Sequence, residues 1–383
     1  MSKTLAITLG GVAGAVALVG LITFCIWCYC CKNKSVSRTS ETGSSDQSVQ
    51  AGRHVGVELS VPEAKRFDME ELSLATKNFS HQNLIGVGKF GEVYKGLLNN
   101  GMLVAVKSRF GAPTQEFVDE ARYLSAIQHR NIVTLFGYCQ ENNMQFLVYE
   151  YVPNGSVSSH LYGLGQVSDG QLEFKHRLAI AIGAAKGLAY LHALRPRLVH
   201  KNFKTTNVLV DENFIAKVAD AGLRNFLGRG GEGGAGPSTQ VAVDEIYLAP
   251  EVREFRQFSE KSDVYSFGVF VVELISGREA SDHNMAEWVS QILMKVQSSV
   301  EGGISSRMVD ERLGSSFTSE GMEELMGLAI RCLEGSSERR PAMSYVVMEL
   351  DRILEKEMKV STGMGEGAAP TVTLGSQLFR PSQ

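Results

Sequence analysis

Apolar residues fall into distinct textures along this chain. From Leu5 to Cys31 no residue is charged, and Leu5, Ile7, Leu9, Val12, Val16, Leu18, Val19, Leu21, Ile22, Phe24, Ile26 and Trp27 make the run strongly apolar. It exceeds the ~20 residues that a helix needs to cross a bilayer. Trp27 and Tyr29 sit near one end, and Lys32, Lys34 and Arg38 follow, against Lys3 alone before it. The positive-inside rule then puts the C-terminal side in the cytosol. A cleaved signal peptide would have a shorter apolar core and a small-residue cleavage site. Bulky Trp27 and Tyr29 end this run instead, which favours an anchor. The pattern predicts a short non-cytosolic stub over 1–4 and a transmembrane helix over 5–31.

Residues 32–66 hold many Ser and Thr, mixed charges and few large apolar residues, the composition of a disordered linker. Phe67, Met69, Leu72, Leu74, Ala75 and Phe79 then recur at helical spacing, so 32–78 reads as linker plus helix. Short β-rich runs follow at 92–95, 103–107 and 145–150, broken by an Asn-Asn-Gly turn and one helix over about 114–127. After 155 the period becomes helical, as in Leu178, Ile182, Ala185, Ala189 and Leu191 within 175–193. The expected fold class is α+β: a small β-rich lobe over 79–152, a larger helical lobe over 153–355, and a cleft between them. Residues 356–383 are rich in Gly, Pro and Thr with little periodicity, and read as a loose, disordered tail.

The chain has 383 residues and a formal net charge of −4. That is too long for one small domain, and no basic surface points to nucleic acid. Of six cysteines, four crowd into 25–31, while Cys139 and Cys332 stand far apart, which excludes a disulfide-stapled secreted fold. Cys28, Cys30 and Cys31 at the membrane edge are candidates for palmitoylation, with apolar filler an equal reading.

Gly86-Val87-Gly88-Lys-Phe-Gly91-Glu-Val93 is a glycine-rich turn between two strands. Glycines let backbone N–H groups approach phosphate oxygens. A dinucleotide-binding turn would continue into a helix, whereas Glu92-Val-Tyr-Lys continues as strand. Lys107 follows within Val104-Ala-Val-Lys. An ammonium among apolar neighbours needs a partner, because burying it unpaired is costly. Glu120 on the next helix is the natural one. Three further elements stand in order. His200-Lys-Asn-Phe-Lys-Thr-Thr-Asn207 has the spacing of the H-R-D-L-x-x-x-N loop, Asp220-Ala-Gly222 stands where D-F-G would, and Ala249-Pro-Glu251 closes the set as A-P-E.

On these motifs, and on Ala75-Thr-Lys-Asn-Phe79, His129-Arg-Asn-Ile-Val, Leu147-Val-Tyr-Glu-Tyr and Asp263-Val-Tyr-Ser-Phe-Gly268, the chain resembles the protein kinases, and more narrowly the plant receptor-like Ser/Thr kinases. The resemblance covers roughly 67–354. It implies a bilobal fold with ATP and Mg in the cleft, a plasma-membrane, single-pass protein with the kinase-like domain in the cytosol, and partners among other receptor-like kinases or signalling proteins. By the same resemblance, Lys107 would contact the α/β-phosphates and pair with Glu120. Asn207 and Asp220 would hold Mg²⁺. Glu150 and Val152 would offer hinge backbone groups to adenine, beside the gatekeeper Tyr149. Val93, Ala105 and Leu209 would sandwich the base. Glu251 and Arg340 would form a structural ion pair.

The pattern breaks at the chemistry. Asn202 holds the position of the catalytic Asp, where a carboxylate orients the substrate hydroxyl and accepts its proton. An amide has no usable basicity, and loss of a general base costs ~10²–10⁴ in rate. Lys201 replaces an Arg whose bidentate fork would grip a phosphorylated segment. Ala221 replaces a Phe, a truncation that costs ~3–5 kcal/mol unless neighbours fill the space. Val243, Asp244 and Ile246 replace the usual residues before Ala249-Pro-Glu251, and the glycines between 228 and 236 make that segment entropically expensive to order. Lys204, the phosphate-side lysine of the loop, is retained. The expected function is a membrane-anchored pseudokinase that binds Mg·ATP and acts as a partner in receptor-kinase signalling. The alternatives are an active but slow Ser/Thr kinase and a nucleotide-free scaffold.

Overall fold

The computed structural model describes residues 64–88, 90–162, 172–222, 245–280 and 309–362. The expected stub at 1–4, the helix at 5–31, most of the linker, Val243 and Asp244, the glycines from 228 to 236 and the chain beyond 362 lie outside these residues. Among the described residues no helix is long and apolar enough to cross a membrane.

The first lobe is a six-stranded sheet. Its strands are β1 (Lys65–Arg66), β2 (Leu84–Val87), β3 (Glu92–Leu97), β4 (Leu103–Phe110), β5 (Leu135–Glu141) and β6 (Met144–Glu150), in the order β1-β5-β6-β4-β3-β2. All neighbours are antiparallel except β1, which runs parallel to β5. In β4, alternation buries Val104 and Val106 on one face and leaves Ala105 and Lys107 on the other. Val93 lies opposite Lys107 on β3, and Tyr149 lies opposite Ala105 on β6. The pleat thereby lines one face of the sheet with the residues expected around a nucleotide.

That face is backed by helix α2 (Gln115–Ser125), whose buried Phe117, Val118, Ala121 and Leu124 form the apolar stripe of an amphipathic helix. Thr114 caps it by accepting from the Phe117 N–H at 3.3 Å. The opposite face is closed by chain that the sequence pattern assigned partly to a disordered linker. Lys65 and Arg66 pair with Gly137 and Tyr138, and Phe67 and Leu72, the latter on helix α1 (Met69–Ala75), are fully buried among Leu98, Val104, Val106, Cys139, Phe146 and Val148. The linker reading at 32–66 therefore fails at its last residues. A side chain at Gly137 would place its Cβ 1.9 Å from the Lys65 carbonyl oxygen, so glycine is what admits the added strand.

Three consecutive residues after α1, Lys77, Asn78 and Phe79, are left-handed, with φ of 54°, 57° and 52°. Such a conformation costs ~1–2 kcal/mol per L-residue. Buried Thr76 offsets it: its hydroxyl donates to the Leu72 carbonyl at 2.7 Å and accepts from the Phe79 N–H at 3.1 Å. The Phe79 ring stacks on Phe146 at 5.3 Å.

The second lobe is helical. It holds α3 (Val157–Tyr162), α4 (Phe174–Ala193), α5 (Pro250–Phe255), α6 (Glu260–Ser276), α7 (Ser319–Cys332) and α8 (Met343–Thr362), with a ribbon of β7 (Val208–Val210) and β8 (Ala216–Val218). Helix α6 is buried from Ser262 to Ser276 and is the lobe's axis. Helix α8 continues to Thr362, into the segment read as a loose tail. Buried Glu357 explains this: it accepts the Thr318 N–H and hydroxyl and so fastens α8 to the start of α7.

Candidate functional site

The glycine-rich turn joins β2 to β3, strand to strand as the sequence requires. Gly88 and Gly91 exchange backbone hydrogen bonds at 2.8 and 3.1 Å. Gly91 has φ of 144°, and a Cβ there would lie 1.8 Å from the Ser108 carbonyl oxygen, so no other residue fits without moving β4. Val87 at the turn is 71% exposed, a free apolar edge above the cleft.

Beneath the turn, Lys107 forms an ion pair with Asp220, both side chains largely buried. The sequence paired this lysine with Glu120, and the structure corrects that: the carboxylate that meets Lys107 is the one expected to hold metal. The reason is backbone geometry. Asp220 is left-handed, with φ of 64°, which turns its carboxylate back under β4. Glu120 is half-buried on α2, at the edge of that helix's apolar stripe.

The loop carrying Asn202 is held by a buried carboxylate. Asp263 accepts from the backbone N–H groups of His200 and Lys201 at 2.7 and 2.9 Å, and from His192 Nε2 at 2.9 Å. His200 is fully buried, which lowers its pKa and keeps it neutral. Its Nδ1 accepts the Asn202 N–H at 3.3 Å, so Nε2 carries the proton and donates to the Ala219 carbonyl at 2.9 Å. The Asn202 carbonyl accepts from Asn207 Nδ2 at 2.8 Å, and the Ala219 N–H donates to the Asn207 carbonyl at 2.8 Å. Asn202 and Asn207 thus share one hydrogen-bonded frame with His200 and Ala219, the residue before Asp220. Lys204 is half-buried near them; burial lowers its pKa, Asp220 opposes that, and Lys107 adds to it.

At the hinge, the Glu150 N–H donates to the Thr134 carbonyl at 2.9 Å, and Val152 is buried. Tyr149 is buried behind it; burial first, and Asp220 second, push its phenol pKa well up. Leu209 on β7 is half-buried and packs against the core. Ala221 leaves a cavity of only about 20 Å³ among Leu124, Leu135, Tyr149 and Val218. At ~24 cal/mol per Å³ the cavity itself contributes only ~0.5 kcal/mol, on top of the transfer free energy that a buried ring at this position would supply.

Glu251 and Arg340 meet in a bidentate pair at 2.6 and 2.8 Å, and Arg340 also donates to the Glu334, Gly335 and Lys261 carbonyls. Burial pushes the Glu251 carboxyl up, but the Arg340 guanidinium outweighs this and leaves it below its ordinary pKa. A carboxyl depressed in the folded state stabilises above its unfolded pKa and loses that contribution as pH falls through the folded value. The wild type is expected to exceed Glu251→Gln by about 3 kcal/mol at pH 7. Urea unfolding should show the gap closing below about pH 4.

One cluster escaped the sequence. The Tyr162 hydroxyl meets Thr205 Oγ1 at 2.7 Å, Thr205 Oγ1 meets the Tyr247 hydroxyl at 3.1 Å, and Tyr247 donates to Glu273. Glu273 also accepts from the Ala280 N–H at 2.7 Å, and burial pushes its pKa up to about 7. The available signal was a carboxylate inside the apolar run Phe270-Val-Val-Glu-Leu-Ile275, which only a buried partner explains.

The sequence profile of the family described as protein tyrosine and serine/threonine kinase matches residues 79–350. The proline-rich receptor-like protein kinase PERK2 of Arabidopsis thaliana is 37% identical over 342 residues, covering 86% of this chain and 46% of the relative. PERK3 from the same plant is 38% identical, covering 82% and 61%. The chain thus spans about half the length of these curated relatives. Among solved structures, the pseudokinase domain of BIR2, described as an immune regulator of the RLK/Pelle family, aligns with a TM-score of 0.61 and 28% identity, over 80% of this chain and 95% of that one.

Proposed function

Since the chain belongs to the protein tyrosine and serine/threonine kinase family, on its plant receptor-like side, we propose that it is a pseudokinase, one that binds Mg·ATP and transfers phosphate poorly or not at all. It is held at the plasma membrane by the run at 5–31, with the kinase-like domain in the cytosol, and works as a partner of active receptor-like kinases. One observation carries this reading: Asn202, an amide, occupies the base position in a loop whose backbone is held by Asp263, His200 and Asn207. The hydrogen bonds from Asp263 through His200 and Asn207 fix the backbone of Asn202, whose side chain can accept a hydrogen bond and cannot take a proton.

The donor set suits magnesium and a nucleotide. Asn207 commits its amide nitrogen to the Asn202 carbonyl, which leaves its oxygen, with the Asp220 carboxylate, as hard oxygen ligands. Lys107 is already at the same point and supplies positive charge for the α/β-phosphates. Bound magnesium, held by Asn207 and Asp220, would neutralise charge on the phosphates. The Glu150 and Val152 backbone groups would hydrogen-bond the base.

Thermal unfolding of the full-length chain with Mg·ATP tests the reading. A ligand at 100 times its dissociation constant stabilises by ~2.7 kcal/mol, and Lys107→Met should remove the shift. No shift at millimolar nucleotide would favour the nucleotide-free scaffold. The active but slow kinase is favoured by the intact Asp263–His200 frame, because positioning and metal supply most of phosphoryl-transfer catalysis.

A further inference from the structure

The hinge carries an ion pair across the two lobes that the nucleotide reading does not use. Lys217 Nζ donates to both carboxylate oxygens of Glu150, each at 3.1 Å, and the Thr134 N–H donates to the same carboxylate at 2.7 Å. Glu150 is the last residue of β6 and Lys217 the middle residue of β8. The side chains are only 16% and 23% exposed, Lys217 first.

The position of Lys217 is set by backbone on both sides. Val218 donates to the Asn131 carbonyl and accepts from the Val133 N–H, each at 2.9 Å, and Asn131 Nδ2 holds the Ala216 carbonyl at 2.8 Å. Ala216 and Val218 point into the core, so Lys217 points out of the opposite face. Leu209 is its cross-strand partner in the ribbon and shares that face. The ammonium therefore springs from beside the residue expected to floor the base pocket and ends on the hinge residue expected to present a carbonyl to the base.

From this geometry we infer that Lys217 is a positioning residue for the nucleotide base, a latch that fixes the Glu150 end of the hinge against the β7–β8 ribbon without touching the ligand. The latch deepens the nucleotide-binding reading and rests on it. A partly exposed ion pair contributes little to stability, ~0–1 kcal/mol. Its effect lies in orientation. Lys217 and the Thr134 N–H hold the carboxylate, and the Thr134 carbonyl holds the Glu150 N–H, so the Glu150 end of the hinge is restrained from side chain and backbone together. Removing the ammonium leaves the carboxylate with the Thr134 N–H as its protein donor and loosens that end of the hinge.

The test uses the full-length chain and the variants Lys217→Met, Lys217→Arg and Glu150→Gln. Dissociation constants for Mg·ATP, Mg·ADP and adenosine are measured alongside amide hydrogen exchange of the segment containing Thr134 without nucleotide. Lys217→Met is expected to weaken all three ligands about tenfold, because they share the base, and to speed exchange at Thr134. Lys217→Arg should recover part of both, and adding Glu150→Gln to Lys217→Met should cost nothing more. Unchanged affinities in Lys217→Met overturn the latch, and so does a lowered melting temperature with affinities intact. If the wild type binds no nucleotide, the nucleotide reading fails by itself. The exchange data then decide the latch: faster exchange in Lys217→Met upholds a hinge restraint, and unchanged exchange overturns it.

Discussion

Asn202→Asp is expected to raise the rate of phosphate transfer from Mg·ATP to a protein or peptide hydroxyl by ~10²–10⁴ over the wild type, the usual worth of a general base. The substitution is nearly isosteric. Both backbone groups of Asn202 are already engaged, the N–H with His200 Nδ1 and the carbonyl with Asn207 Nδ2. The loop therefore has no reason to move, and a carboxylate placed there points where the amide now does. Asn207→Ala in the same background should remove the gain if magnesium is held as proposed. Incorporation of labelled phosphate by the full-length chain reads the result. A wild type that already turns over a peptide at ordinary kinase speed would end the pseudokinase reading. Measurable wild-type activity with no gain on Asn202→Asp would support the slow enzyme.

The second large effect concerns stability. Phe67 and Leu72 are fully buried in an eight-residue cluster on the outer face of the sheet, facing Val104, Val106, Phe146 and Val148. Truncating a buried Phe costs ~3–5 kcal/mol and a buried Leu ~2–5 kcal/mol. Their combined loss approaches the whole stability of an ordinary domain, ~5–15 kcal/mol. A chain begun at residue 79, where the family profile begins, is expected to be largely unfolded, whereas one begun at 64 keeps the strand, the helix and the cluster. Urea unfolding of the two, with the full-length Phe67→Ala and Leu72→Ala variants beside them, checks this. Equal midpoints for the chains begun at 64 and 79 would refute it. Gly137→Ala should act in the same direction, since its Cβ cannot coexist with the Lys65 carbonyl.

Much of the fold was legible locally. The helices at Gln115–Ser125 and Phe174–Ala193 lie close to the expected 114–127 and 175–193, because apolar period is a local property. Strand β5 was harder. Leu135-Phe-Gly-Tyr-Cys-Gln-Glu contains a glycine and polar residues and does not alternate cleanly. It exists because its neighbours in the sheet supply its hydrogen bonds. The last turns of α8 were missed for a similar reason, since what orders them is the contact of Glu357 with Thr318, far away in sequence.

What the sequence determined by itself was the inventory and its order: a β-rich stretch before a helical one, the glycine turn, Lys107, the Asn202 loop, Asp220, and the replacement of a carboxylate by an amide. Those are matters of residue identity and spacing, which need no third dimension. Which charged groups meet was decided only by the tertiary structure. Lys107 finds Asp220 and not Glu120, Lys217 finds Glu150 across the lobes, and a supposed linker completes the sheet at Gly137. Each of these depends on where distant backbone segments bring their side chains, and an electrostatic or packing partner is chosen by distance in space, which a one-dimensional string does not contain.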